Sequence, residues 1–214
     1  MFFTDLGKCY WLKVHEIPQA GRGSRGRYIV NLLPLQKGER VKAVVPVKSF
    51  DEDHFLFMAT RKGLVKKTNL LHFSHPRKTG INAISVRNGD ELIEARLTDG
   101  TNDIILGTRQ GKAIRFNEND VRPMGRTASG VRGITLGSGD RVVGMVVVRR
   151  EGTLLVVTEK GYGKRSPISG YRLTKRGGKG VITMNATPRI GPMIAVMDVL
   201  DDDDSVAGVH EPVE

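Results

Sequence analysis

The sequence lacks paired cysteines, long apolar runs and helical periodicity, and each absence excludes a class of protein. The single cysteine, Cys9, excludes an internal disulfide framework and is typical of a reducing compartment. No apolar run approaches the roughly 20 residues of a membrane span, and no signal peptide opens the chain. We therefore expect a cytoplasmic protein with no membrane partner.

Short apolar runs between glycine-containing turns replace the missing helical pattern. The runs 56–60 and 64–68 flank the turn Arg61-Lys62-Gly63, and this pattern predicts a β-hairpin. The run 28–35, which follows a glycine-rich basic loop, is also predicted to be a strand. The fold class is therefore predicted to be all-β.

Three kinds of turn recur about every fifty residues along the chain. Thr-x-x-Gly turns end at Gly7, Gly63, Gly111 and Gly161. Glycines between a basic loop and a β-branched run are Gly26, Gly80, Gly130 and Gly180, and a third turn contains Gly38, Gly89, Gly139 and Gly191. Each repeat is predicted to hold four short strands, which in the second repeat are 56–60, 64–68, 80–86 and 91–97. About four such units indicate a propeller-like ring, because one sheet cannot bury both of its faces alone.

The charge of the chain is strongly basic and unevenly distributed. Lys and Arg number 34 and Asp and Glu number 23, but six of the acids lie in the last 16 residues. Residues 1–198 thus carry all 34 basic side chains against 17 acidic ones. Such an excess favours a polyanionic partner, most often nucleic acid. We predict a DNA-binding repeat domain over residues 1–200 and a separate, flexible acidic segment over residues 201–214.

Basic residues recur in phase with the repeat at two places in each unit. Scattered charges of both signs would only keep exposed strand edges soluble, whereas same-sign charges in phase predict a basic rim that neutralises phosphates without reading bases. The candidate DNA contacts in the loops are Arg22, Arg25, Arg27, Arg77, Lys78, Arg126, Arg132, Lys175, Arg176 and Lys179. The candidates just after the hairpin turns are Lys66, Lys67, Arg115, Lys164 and Arg165.

Short matches to cofactor-binding or metal-binding motifs are excluded by the residues around them. The segment 21–26 has the spacing of a dinucleotide fingerprint, but β-prone residues follow it where a helix should begin. The segment 107–112 is one residue short of a phosphate loop. His72 and His75 have metal-like spacing without a second set of ligands. We expect no catalytic, cofactor-binding or metal-binding residues in this chain.

Several stretches, in order along the chain, resemble the C-terminal domain of DNA gyrase A. They are residues 22–35, 57–60, 63–68, 131–134, 139–140 and 161–165. The resemblance spans residues 1–200 and implies a β-pinwheel, a propeller-like ring whose blades exchange strands and bend DNA around a basic perimeter. It implies a non-catalytic module that wraps DNA without sequence specificity and supports ATP-dependent negative supercoiling by a type II topoisomerase.

The same resemblance implies the partners and the location of the protein. The partners would be double-stranded DNA, the rest of gyrase A and the ATPase subunit, in the bacterial cytoplasm with the nucleoid. ATP and magnesium would bind other parts of the holoenzyme. The corresponding C-terminal domain of topoisomerase IV remains an alternative, as does a propeller scaffold that binds an acidic protein.

Two features depart from the family pattern. The segment 174–180, Thr-Lys-Arg-Gly-Gly-Lys-Gly, resembles the family's box Gln-Arg-Arg-Gly-Gly-Lys-Gly, which belongs to the first blade. Here it lies in the fourth repeat, with Thr-Lys in place of Gln-Arg, so the role of the box is not carried over. About four repeats are fewer than a full ring, and the chain begins directly on strand-like Phe2-Phe3. We therefore expect a piece of a longer protein.

Overall fold

A computed structural model describes residues 1–200, which form short β-strands and five 3-10 turns. No α-helix occurs among these residues, so the predicted all-β class is confirmed. Nor does this part of the chain contain a helix long and apolar enough to cross a membrane. The predicted acidic segment 201–214 lies outside the described residues.

The chain forms two compact units whose boundaries do not follow the sequence repeat. The first unit contains Met1–Thr60, Lys66–Asp99 and Pro123–Gly130. The second contains Arg61–Val65, Gly100–Arg122 and the chain from Val131 onward. Each unit therefore incorporates a segment from a neighbouring repeat.

The strands that lie in the first unit are β1 (Phe2–Thr4), β2 (Lys8–Tyr10), β3 (Val41–Val44), β4 (Phe55–Thr60), β6 (Ile81–Asn82) and β7 (Leu92–Thr98). Four of them form an antiparallel sheet with the order β3-β1-β2-β6. Strand β4 pairs with β7, placing Met58 opposite Ala95. Strand β5 (Leu64–Asn69) contributes its last four residues here.

The strands that lie in the second unit are β8 (Asp103–Thr108), β9 (Lys112–Asn117), β10 (Val131–Arg132), β11 (Val142–Val148), β12 (Thr153–Thr158), β13 (Gly163–Pro167), β14 (Val181–Ile182) and β15 (Met193–Val199). They include a four-stranded sheet with the order β11-β8-β9-β14 and a three-stranded sheet with the order β13-β12-β15. Strand β10 pairs with the first two residues of β5, so that Val131 lies opposite Val65.

In the second, third and fourth repeats, the third strand is exchanged into the sheet of the repeat before it. Strands β6, β10 and β14 pair with β2, β5 and β9 respectively. They are only two residues long, so the predicted strand 80–86 is wrong in its length. The ladder ends because the next two amides converge on one carbonyl of the turn glycine, as Ala83 and Ile84 do on Gly7. The same pattern recurs at Gly63 and Gly111.

The predicted strand 28–35 is absent, and this prediction is wrong. The segment instead forms a 3-10 turn at Ile29–Asn31, with Tyr28 82% exposed. Leu33 turns inward and packs in one small cluster with Phe2 and Tyr10. Burial of single apolar side chains, rather than pairing with a strand, therefore holds this part of the first repeat.

Each unit has its own apolar core. In the first unit, Leu56, Met58 and Phe73 are buried together with Phe3, whose ring meets that of Phe73 edge-on at a centroid distance of 6.2 Å. In the second unit, the core includes Leu154, Val156 and Met193. These cores fix the strands from which the basic loops project.

Candidate nucleic-acid interface

The loop cations of the first two repeats are solvent-exposed. Arg22, Arg25 and Arg27 lie in the irregular segment that precedes Tyr28. Arg77 and Lys78 lie between the 3-10 turn Leu70–Phe73 and β6. All five side chains are therefore placed where a polyanion could reach them.

The loop 123–130 is tied to the first unit mainly through its backbone. The Met124 amide donates to the carbonyl of Lys67 at 2.8 Å. Ser85 donates twice, from its amide to Ala128 O at 3.1 Å and from its hydroxyl to Thr127 O at 2.6 Å. Arg126 is half-buried in this loop. The loop thus presents one partly exposed cation on an ordered backbone.

The loop 173–180, which contains the box-like segment, is anchored even more extensively in the second unit. The Gly177 amide donates to Gly133 O at 2.6 Å, and Thr135 donates to Gly178 O from its amide at 2.8 Å. The guanidinium of Arg176 points inward and donates to the carbonyls of Asp120 and Arg132, both at 2.9 Å. The predicted DNA contact at Arg176 is therefore corrected, because its guanidinium supports the loop.

Three cations of the fourth repeat remain on the outer surface of this anchored loop. Arg172, Lys175 and Lys179 are exposed and lie with Gly180 around a cavity of about 200 Å³ beside β9. Lys175 is 89% exposed, and its ammonium lies 2.8 Å from a carboxylate oxygen of Asp120. The ammonium end of this ion pair is in solvent, which weakens the pair, so a phosphate could compete for the ammonium although Asp120 itself is only 15% exposed. The arrangement can accept an anionic group without rebuilding the loop.

The cations just after the hairpin turns occupy a different environment. Lys66 and Lys67 are 0% and 2% exposed, so neither ammonium can reach a phosphate on the surface. Lys66 Nζ donates to backbone carbonyls, and Lys67 Nζ lies 4.3 Å from the centre of the Phe55 ring, in a cation–π contact. The predicted DNA contacts at Lys66 and Lys67 are therefore corrected to internal contacts.

Arg115 is the counterpart of Lys67 in the third repeat and is also directed inward. Its Nε and Nη2 donate to Asp103 at 3.0 and 2.8 Å, and Nη1 donates to the carbonyl of Ile168 at 3.1 Å. With its donors engaged in this way, Arg115 is corrected to a structural residue. In the fourth repeat, Arg165 donates from Nε to Thr153 Oγ1 at 3.1 Å and is exposed, as is Lys164. These two remain candidates.

Two residues that hold the basic loops were not predicted from the sequence. Ser85 and Thr135 occupy equivalent positions one repeat apart, and both hydroxyls donate to loop carbonyls at 2.6 Å. Their equivalence could have been predicted from the sequence, because each hydroxyl residue lies five positions after the glycine that precedes the exchanged strand. Arg172, which lies in the basic loop of the fourth repeat, joins the exposed set.

Exchange of a short strand between successive repeats of four-stranded sheets defines a propeller-like repeat domain of the β-pinwheel type. A family model described as "DNA gyrase C-terminal domain, beta-propeller" matches residues 1–48, 54–99, 102–149 and 152–210. The chain belongs to this family, and the resemblance found in the sequence is confirmed. The four matched segments also correspond to the four repeats.

Similar proteins and structures agree with this assignment. DNA gyrase A of Salmonella typhimurium is 47% identical over 201 residues, which are 94% of this chain and 23% of that protein. DNA gyrase A of Staphylococcus aureus (strain MRSA252) is 45% identical over 207 residues, covering 95% of this chain and 23% of that protein. The chain thus spans about a quarter of the length of these relatives.

Two solved structures share the fold over nearly the whole chain. The C-terminal domain of DNA topoisomerase IV matches with a TM-score of 0.84 at 28% identity, covering 94% of this chain and 63% of that one. A DNA gyrase A C-terminal domain matches with a TM-score of 0.80 at 27% identity, covering 94% of this chain and 66% of that one.

Proposed function

We propose that this chain binds and bends double-stranded DNA without sequence specificity, as part of the DNA-wrapping domain of gyrase A. The observation that carries the proposal is the loop 173–180. Its backbone and Arg176 are fixed by inward hydrogen bonds, while Arg172, Lys175 and Lys179 stay exposed around one cavity. An ordered loop with outward cations loses little conformational freedom when it meets a phosphate.

The proposed contacts are electrostatic and directed to the DNA backbone. Each Lys or Arg that neutralises a phosphate releases condensed counterions, which favours binding to any sequence. Of the residues predicted to contact DNA, the proposal retains those whose side chains are exposed, together with half-buried Arg126, and adds Arg172. These are Arg22, Arg25, Arg27, Arg77, Lys78, Arg126, Arg132, Lys164, Arg165, Arg172, Lys175 and Lys179. The proposal leaves out half-buried Arg115 and Arg176, whose guanidinium groups make the internal contacts described above.

The wider context of the proposal is the whole type II topoisomerase. We infer that the chain is a non-catalytic part of gyrase A in the bacterial cytoplasm, where it associates with the nucleoid and supports negative supercoiling. Catalysis, ATP and magnesium would belong to other regions of the enzyme and to its ATPase subunit. The gyrase A relatives, at 45% and 47% identity, support this context.

Topoisomerase IV is the second candidate for the parent enzyme, because its C-terminal domain has the same fold with a TM-score of 0.84. The two candidates differ in the writhe that bound DNA would adopt. Relaxation of a DNA minicircle in the presence of the full-length protein reports the sign of trapped writhe. Trapping of positive writhe supports the gyrase assignment, and no preference of sign would favour topoisomerase IV.

Charge reversal tests the DNA-binding surface directly. We expect the triple change Arg172→Glu, Lys175→Glu and Lys179→Glu to weaken binding to a DNA duplex at least about tenfold, because three phosphate contacts are lost. The matched control reverses Lys13, Lys37 and Lys48, which are exposed but outside the proposed surface. Equal losses in fluorescence anisotropy titrations of the two triple variants would reduce the effect to net charge alone and contradict the proposal.

A further inference from the structure

Lys66 is a buried basic residue that the proposed DNA surface does not use. Its side chain extends from β5 and is 0% exposed, which is unusual for a lysine without a carboxylate partner. In the described part of the chain, Lys66 Nζ donates to only two groups, the carbonyls of Ala83 at 2.5 Å and Arg126 at 2.7 Å. We infer that Lys66 is a positioning residue that holds the loop 123–130 against the first unit.

Both carbonyls belong to segments that must be kept in place. Ala83 directly follows the exchanged strand β6, and its own amide donates to Gly7 O at 2.8 Å. Arg126 lies in the middle of the loop 123–130. One amino group therefore connects three segments that are distant in sequence: β5, the end of β6 and the basic loop.

In the loop 173–180, a backbone amide takes the place of the Lys66 amino group as the hydrogen-bond donor. There, the carbonyl equivalent to Ala83 O is Gly133 O, which accepts a hydrogen bond from the Gly177 amide at 2.6 Å. Gly177 can turn its amide inward because its φ is +84°, a conformation that glycine adopts readily. The first loop has Thr127 at this position, and Thr127 does not have a positive φ. The Lys66 amino group supplies the donor that the loop backbone does not.

The chemistry of the amino group suits this role in both protonation states. Burial, and then repulsion by the Arg126 guanidinium, lower the pKa of Lys66 from 10.5 to about 7. The charged group has three N–H donors and the neutral amine has two, so either form can serve both carbonyls. An apolar side chain at this position would leave two carbonyls without a donor, a costly state for buried polar groups. The role of Lys66 is independent of whether the loop binds DNA.

Limited proteolysis of the whole chain tests this role at the peptide bond that follows Arg126. We expect Lys66→Met to increase trypsin cleavage after Arg126 about tenfold, because the loop opens more easily when two hydrogen bonds are lost. Lys66→Arg, which keeps the donors, should restore most of the protection. The matched control is Lys164→Met, because Lys164 holds the same repeat position but is exposed. It should leave cleavage after Arg126 unchanged.

Unchanged cleavage after Arg126 in a folded Lys66→Met protein would overturn the inference. If the substituted proteins do not fold, amine labelling of the wild-type chain provides an independent test. An accessible amine with a low pKa reacts rapidly with an N-hydroxysuccinimide ester at pH 7, whereas a buried one is shielded. We expect Lys66 to react at least about tenfold more slowly than exposed Lys78. Equal labelling rates for Lys66 and Lys78 would also overturn it.

Discussion

The basic loops 123–130 and 173–180 occupy equivalent places in successive repeats and share part of their anchoring. Ser85 binds two neighbouring carbonyls of the first loop, and Thr135 binds the two equivalent carbonyls of the second. Each loop also donates one amide to the carbonyl of a basic residue on the adjacent strand, Lys67 or Arg115. These shared contacts keep the same backbone path in both units.

The remaining anchor differs, and so does the number of charges that each loop presents. A lysine reaches from the strand in the first case, whereas Gly177 and Arg176 reach inward from the loop in the second. With these internal anchors, the second loop and its flank present exposed Arg172, Lys175 and Lys179, whereas the first loop and its flank present exposed Arg122 and half-buried Arg126. Loops with the same position in the repeat can thus differ in their capacity for anions.

The largest expected effect concerns Gly111, whose carbonyl accepts hydrogen bonds from the two residues that follow the exchanged strand β14. A Cβ added to Gly111 would lie 1.9 Å from the carbonyl oxygen of Met184, in a residue with φ +84°. We expect Gly111→Ala to lower the free energy of unfolding by more than about 3 kcal/mol, because the backbone must shift. Gly161→Ala also has a positive φ but open space, so it should cost only about 1 kcal/mol.

Urea denaturation of the two variants checks this pair. Equal losses of stability for Gly111→Ala and Gly161→Ala would show that conformational strain alone matters. In that case the contact between the turn and the exchanged strand β14 would not limit stability.

The pH dependence of stability separates Lys66 from the anchors of the second loop. Below pH 7 the folded and unfolded chains both protonate Lys66, and the folded state bears the cost of a buried charge. Between pH 7 and 10.5 the folded chain has released a proton that the unfolded chain still binds, so stability rises with pH. The unfolding free energy of the wild type relative to Lys66→Met should rise by at most about 1.4 kcal/mol per pH unit.

Chemical denaturation at several pH values measures this difference. Lys66→Arg keeps its charge throughout the range, so its stability relative to Lys66→Met should not rise. A flat difference for the wild type would show that the buried amino group does not change its protonation on folding.

The smallest expected effect concerns the shared hydroxyl anchors. Ser85→Ala and Thr135→Val each remove a hydrogen bond of 2.6 Å to a loop carbonyl and should each cost about 1 kcal/mol. Because the two contacts are equivalent in the repeat, the losses in thermal unfolding should agree closely. Very different losses would show that the two loops are not held in the same way at this position.

The repeat and its turns could be predicted from sequence because glycines with positive φ leave a periodic mark. The contacts of the hairpin cations could also be predicted from their spacing, since Lys67, Arg115 and Arg165 each contact a residue twelve positions earlier, although only Lys67 and Arg115 point inward. The prediction considered only the charge of these residues and therefore did not identify their partners. The burial of Lys66 could not be foreseen, because its partners are backbone carbonyls of distant segments, which carry no side-chain signature.

The shortness of the exchanged strands and the 3-10 turn at Ile29–Asn31 were also not predictable. In both cases the apolar run suits a strand, and the outcome depends on tertiary contacts. Strand β6 ends where two amides share one carbonyl, and Leu33 is buried without a strand partner. Local propensity therefore identified the fold class better than the bounds of its elements.

The salt dependence of DNA affinity tests the central claim, that the second loop carries more of the phosphate contacts. For the wild type, log K should fall linearly with log salt, and each contact should contribute about 0.9 to the slope. Reversal of Arg172, Lys175 and Lys179 should reduce the slope by about 2.7, whereas Arg126→Glu should reduce it by at most about 0.9. Equal slopes for the wild type and the triple variant would contradict the account.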